Sequence, residues 1–279
     1  MTIAGAAFKS IVRWSNPYLV PVANQRAARR MLEHPVEAMR QVEAAITSAI
    51  GYFAAQPSIE PAALILLGRL GRTGADPRLH FIEPRIAEFV GKFRDPYLRL
   101  LDPEYNGPTS GIMAAPNSAD NPVLQLMERC LFADRTGDGA ACLDLLAQID
   151  DGGGYGTTHI AVGGLFLREF GAVADDAVEP LIQSVVGTLV SAQRSDRAGD
   201  LFAERIATLQ WLGCEASIDP AWIKRLVNAQ RRGGGWTAGP SLRSARPNQH
   251  TSALALISLV QWVAQSKGKA VPFWRQAAK

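Results

Sequence analysis

The segment Ala229-Gln230-Arg231-Arg232-Gly233-Gly234-Gly235-Trp236 has an upstream counterpart in Ala147-Gln148-Ile149-Asp150-Asp151-Gly152-Gly153-Gly154-Tyr155. In both, an Ala-Gln pair closes an apolar helical stretch, polar residues follow, and a glycine run ends on an aromatic. The pair recurs at Ala55-Gln56 and Ala192-Gln193, each time where an amphipathic stretch gives way to a turn. The glutamines at 56, 148, 193 and 230 are separated by 92, 45 and 37 residues, so a period of about 45 fits all four if one decayed copy lies near position 102. Tyr97 to Pro103, followed by the Pro- and Gly-bearing loop from Glu104 to Pro116, supplies that copy.

Working outward, each repeat reads as helix, turn, helix. Asp200 to Leu212 carries Leu201, Ala203, Ile206, Ala207, Leu209 and Trp211 so densely that the helix is predicted to be buried around most of its circumference. Its predecessor, Val178 to Gln193, is amphipathic. The same contrast sets Ala161 to Phe170 against Cys142 to Gln148, and Ala253 to Trp262 against Ala221 to Gln230. No stretch shows strand-like alternation, and the connections carry the Gly, Pro, Asp and Asn that start and stop helices. The expected fold is all-α. Helices apolar on nearly all sides need neighbours on both flanks, which favours an α/α toroid of about five or six hairpins closed into a ring over an open solenoid. Residues 1–34 are expected to form an N-terminal extension, with Gln25 to Leu32 available for a further helix, and 35–279 the toroid domain.

Composition sets the outer limits. The chain has 279 residues, a net charge of +3 and 47% hydrophobic residues, enough to bury a substantial core and too balanced for an acidic or basic tail protein. The longest apolar stretches, such as Ala161 to Leu167, fall short of the roughly 20 residues a bilayer-spanning helix needs. No signal peptide is legible at the N-terminus, so a cytoplasmic location is expected. Phe8 to Val22 combines Trp14, Tyr18 and aliphatics with Lys9 and Arg13; it suits peripheral contact with a membrane surface, and equally a clasp on the ring or on a second subunit in a homo-oligomer. Cys130, Cys142 and Cys214 show no Cys-x-x-Cys spacing and read as reduced core residues. Phosphate loops, dinucleotide fingerprints, nucleophile elbows and His-Glu-x-x-His strings are absent from the sequence. With so small a net charge, the arginines at 225, 231, 232, 243 and 246 do not make a nucleic-acid surface. They form a solvated loop or meet an anionic substrate group.

The string Leu226-x-x-x-Gln230-x-x-x-Gly234-x-Trp236, followed after a polar loop by His250-Thr251-Ser252-Ala253-Leu254-Ala255-Leu256, resembles the glutamine-tryptophan repeats of squalene-type and other triterpene cyclases. It is also similar to the repeats of protein prenyltransferase β subunits. The resemblance covers residues 140 to 265 and is fainter from 36 to 135. It implies an α/α toroid with an apolar central cavity and an isoprenoid-like or other lipophilic small-molecule substrate.

In a closed ring the N-termini of the inner helices gather around one mouth of the cavity. The polar residues in that phase are Glu60; Thr157, Thr158 and His159; Asp200 and Glu204; and Asn248 and His250. Asp200 and Glu204 lie one helical turn apart on a single face. His159, Asp200, Glu204 and His250 are therefore the candidate catalytic residues, able to serve as an acid and base set or to hold zinc through nitrogen and oxygen donors. Tyr155, Trp211 and Trp236 are candidates to line the substrate pocket, or else packing residues of the repeat. Helix capping is the competing explanation for Asp200, Thr157 and Thr158. The prenyltransferase resemblance implies an Asp, a Cys two residues on and a His as zinc ligands. Asp200 and His250 fall on two of those places, with His159 as a further histidine, but Phe202 stands where the Cys would be and cannot ligate a metal. Glu204 is the available substitute. The Asp-x-Asp-Asp string with which class II cyclases protonate polyenes is absent, and Asp175-Asp176-Ala177-Val178-Glu179 reads as the acidic start of an outer helix. The expected activity is acid/base chemistry of cyclase, isomerase or lyase type; the alternative is a non-catalytic toroid that binds a ligand or another protein.

Overall fold

The computed structural model describes residues 31, 33–92, 95–107, 121–150, 152–194, 198–239, 246–269 and 271–274. The segment from Phe8 to Val22 and most of Gln25 to Leu32 lie outside them. Eleven α-helices run through the described residues: α1 (Pro35–Ala54), α2 (Pro61–Arg72), α3 (Ile82–Lys92), α4 (Pro122–Leu131), α5 (Ala133–Thr136), α6 (Gly139–Ala147), α7 (Tyr155–Glu169), α8 (Asp175–Gln193), α9 (Asp200–Trp211), α10 (Pro220–Ala229) and α11 (Gln249–Ser266). The chain is all-α as expected; among the described residues the one β feature is an isolated antiparallel bridge between Trp236 and Asn248. No described helix is long and apolar enough to cross a membrane.

Local chemistry sets the helix starts. Proline occupies the first turn of α1, α2, α4 and α10, where its missing N–H is no loss and its fixed φ suits the helix. Asn121 accepts from the amides of Val123 and Leu124, Asp219 from Ala221 and Asn248 from Thr251, satisfying donors that a helix N-terminus leaves open. Near position 102, Pro96–Leu100 makes only a short 3₁₀ helix.

By packing, the chain divides into two compact units, residues 1–83 with 193–271, and residues 84–192 with 272–279. In the first, α11 is the central element. All of it but Gln249, His250 and Gln265 is buried, and it packs against α9, α2, α1 and α10. Every residue of α9 from Phe202 to Trp211 is buried as well, as its dense apolar pattern requires. α10 lies against α1, so among the described residues the first hairpin, α1 with α2, packs against the last, α10 with α11. In the second unit α4 and α7 form the main pair, with α6 packed against both. The Arg99 guanidinium, 3% exposed, closes this unit. It is held by both carboxylate oxygens of Asp134 at 2.6 Å, donates to the carbonyl of Leu131, and lies 4.1 Å from the centre of the Phe170 ring. Cys130 and Cys142 are buried free thiols in the same unit, and burial pushes both thiol pKa values up.

Candidate functional site

The glycine-aromatic turn of the repeat builds the site from its backbone. Gly234 adopts φ +91°, and a Cβ there would lie 2.1 Å from the carbonyl oxygen of Ser48 on α1; only glycine permits both that conformation and that approach. Gln230 secures the turn by donating its side-chain amide to the carbonyls of Gly234 and Ala45, both at 2.8 Å. Trp236, 2% exposed, follows at once. Its indole N–H donates to Leu226 O, its backbone N–H to Ser252 Oγ, and its carbonyl accepts from Asn248 N at 2.7 Å. Those contacts fix the start of α11. Two residues further on, Ala238 O accepts the backbone N–H of Asp200 at 2.9 Å, and a side chain at Gly199 would meet that same carbonyl. One turn thus locates both the first residue of α9 and the cap of α11.

Asp200, Glu204 and His250 meet there. One potential ligand atom from each lies within 4.8 Å of the others. Asp200 and Glu204 share a face of α9 because four residues make one turn, and His250 is the second residue of α11. Glu204 is buried at 6% exposure, while Asp200 and His250 are half-buried. Phe202 is fully buried and points no ligand atom anywhere. Thr251 donates its hydroxyl to Asp200 Oδ1 at 2.5 Å.

Two carboxylates and an imidazole offer two kinds of chemistry. Zinc takes histidine nitrogen and carboxylate oxygen at about 2.0–2.2 Å, and the three potential ligand atoms here lie within 4.8 Å of one another. Alternatively, a proton held by His250 beside two carboxylates makes an acid and base set.

His159 belongs to the second unit, in the second turn of α7, where its Nδ1 contacts Tyr155 O and its ring meets Tyr155 edge-on. Tyr155 is 46% exposed. Thr157 and Thr158 are buried inside α7 and are not its cap, which is Gly154; Thr157 Oγ1 accepts from Gly153 N, and Thr158 Oγ1 donates to Tyr155 O. Trp211 is buried on α9 and Trp236 is spent on packing the turn. Gly199 occupies the cap position of α9, and Asp200 is the first residue of the helix. Glu60 heads α2 with its amide held by Gln249 Oε1 at 2.6 Å. Asp175, Asp176 and Glu179 line a shallow exposed depression at the start of α8. The contribution of Thr251 was missed from sequence, although its place next to a candidate histidine in the first turn of an inner helix was a usable signal.

Comparison of the chain with known protein families, with curated proteins and with solved structures yields no match.

Proposed function

We propose that the protein is an enzyme of α/α-toroid architecture whose centre, Asp200, Glu204 and His250, carries out proton transfer of cyclase, isomerase or lyase type on an isoprenoid-like or other lipophilic substrate. A divalent cation such as zinc fits the same three residues, and would polarise the substrate there. The observation that carries this reading is the convergence of two carboxylates and an imidazole from two different helices on one point. Glu204 is buried at 6% exposure beside the half-buried Asp200 and His250, so the cluster lies away from the open surface where charged side chains ordinarily sit. The toroid itself is supported by the packing of the first hairpin against the last within one unit, the contact that a ring requires at its seam.

The test is metal titration by calorimetry and by the visible spectrum of bound Co²⁺, together with mass spectrometry of lipophilic compounds that copurify. The natural chain is expected to bind a stoichiometric divalent ion, and Asp200→Asn and His250→Ala to lose it while retaining their melting temperature. If all three proteins behave alike with metal and retain the same copurifying ligand, the centre has no chemical role and the non-catalytic binding module is the better account.

A further inference from the structure

We propose that Thr251 is the positioning residue of this centre, its hydroxyl hydrogen bond to Oδ1 of Asp200 setting the direction in which the carboxylate faces a bound cation. The inference rests on the metal-binding reading of the Asp200, Glu204 and His250 cluster and specifies how Asp200 would serve it.

Thr251 is 1% exposed, so its hydroxyl has no water to turn to. Two acceptors lie within reach, Asp200 Oδ1 at 2.5 Å and Asn248 Oδ1 at 3.0 Å. A hydroxyl carries a single proton. Asn248 Oδ1 already accepts the backbone N–H of Thr251 at 2.8 Å as the cap of α11, so the shorter, charge-assisted contact to the carboxylate takes the proton. The donor is itself rigid: Thr251 stands in the first turn of a helix whose start is fixed by Asn248 and by the Trp236 bridge. The Asp200 backbone is held independently, by Ala238 O. The bond restrains rotation of the carboxylate and sets the direction in which it faces, beside His250 from the neighbouring position of α11. Partners that orient ligand carboxylates in this way contribute about 10- to 100-fold in metal affinity.

The experiment measures Co²⁺ and Zn²⁺ affinity and the Co²⁺ spectrum for the full chain and for Thr251→Val, Thr251→Ala and Thr251→Ser. Valine keeps the shape and removes the donor; alanine removes the donor without the branch and carries the test should the valine chain fail to fold; serine restores the hydroxyl. The expected result is affinity reduced about 10- to 100-fold in valine and alanine, with an altered Co²⁺ band pattern, and recovery to near the natural value in serine. Affinity unchanged in valine and alanine overturns the positioning role while leaving the metal centre intact. Equal weakening in all three, serine included, also overturns it, because packing and not the hydroxyl is then responsible. Failure of the centre itself is recognised separately, by Asp200→Asn and His250→Ala binding Co²⁺ as tightly as the natural chain.

Discussion

Two glycines show how much of this fold is decided by a missing side chain. Gly153 and Gly234 occupy equivalent places in the two copies of the turn, both at φ +91°, and each faces a neighbouring helix, α8 and α1 respectively. A Cβ on Gly153 would lie 2.7 Å from that of Ala192, and one on Gly234 would lie 2.1 Å from Ser48 O. The second is the harsher, because the obstacle is backbone and cannot rotate away. Gly234→Ala combines left-handed strain with overpacking and is expected to cost about 3 kcal/mol or more. Gly233→Ala, with nothing within 4 Å of its added carbon, should stay within about 0.5 kcal/mol of the natural chain. Urea denaturation of the two variants checks the contrast. Near-equal losses would mean that the glycine run is a flexible connector and not a fitted turn. The distinction between these adjacent glycines was invisible in sequence, since three glycines in a row do not say which of them meets a neighbour.

At the level of elements, the buried helices were legible, and the start of α9 at Asp200 with them. α9 and α11 announce themselves because apolar residues fill more than one face, but α7 begins at Tyr155, directly on the aromatic of the turn and ahead of the Thr157 to His159 group expected at its start. That shift carries His159 into the second turn, against Tyr155 O, whereas His250 is only the second residue of α11. Equal repeat phase therefore did not mean equal position on a helix. In the second unit the joint between Arg99 and α5 gives a pH signature. Burial pushes the Asp134 carboxyl up, but the hydrogen bonds and charge of Arg99 outweigh it and hold the pKa below the ordinary value. The folded state then binds fewer protons than the unfolded state, so this contribution is full above the ordinary carboxylate range near pH 4 and is lost as pH falls through the lowered value. Asp134→Asn should remove that part of the acid-limb slope while lowering stability at neutral pH, because Arg99 stays buried without its carboxylate. Stability measured by denaturant between acid and neutral pH decides it. A slope unchanged by the substitution would show that other carboxylates govern acid unfolding.

Across the whole molecule, the least legible feature was which repeats meet. Periodicity is a local property, and it identified the turn at Gln230 without indicating that its amide reaches Ala45 O, 185 positions away. Gln249 does the same, donating to Ser58 O at 3.0 Å and accepting from Glu60 N at 2.6 Å. Both glutamines join the last described hairpin to the first within one unit, so these bonds close loops of more than 180 residues. Loop-closure entropy makes such contacts late on the folding path. Each glutamine makes two hydrogen bonds, so Gln230→Ala and Gln249→Ala are each expected to cost about 1–2 kcal/mol. Because contacts absent from the transition state affect unfolding alone, the loss should appear as unfolding accelerated roughly 5- to 30-fold, with the refolding limb of the chevron unmoved. Slower refolding in either variant would place the contact between the first and last described hairpins in the folding nucleus and overturn this late order of assembly.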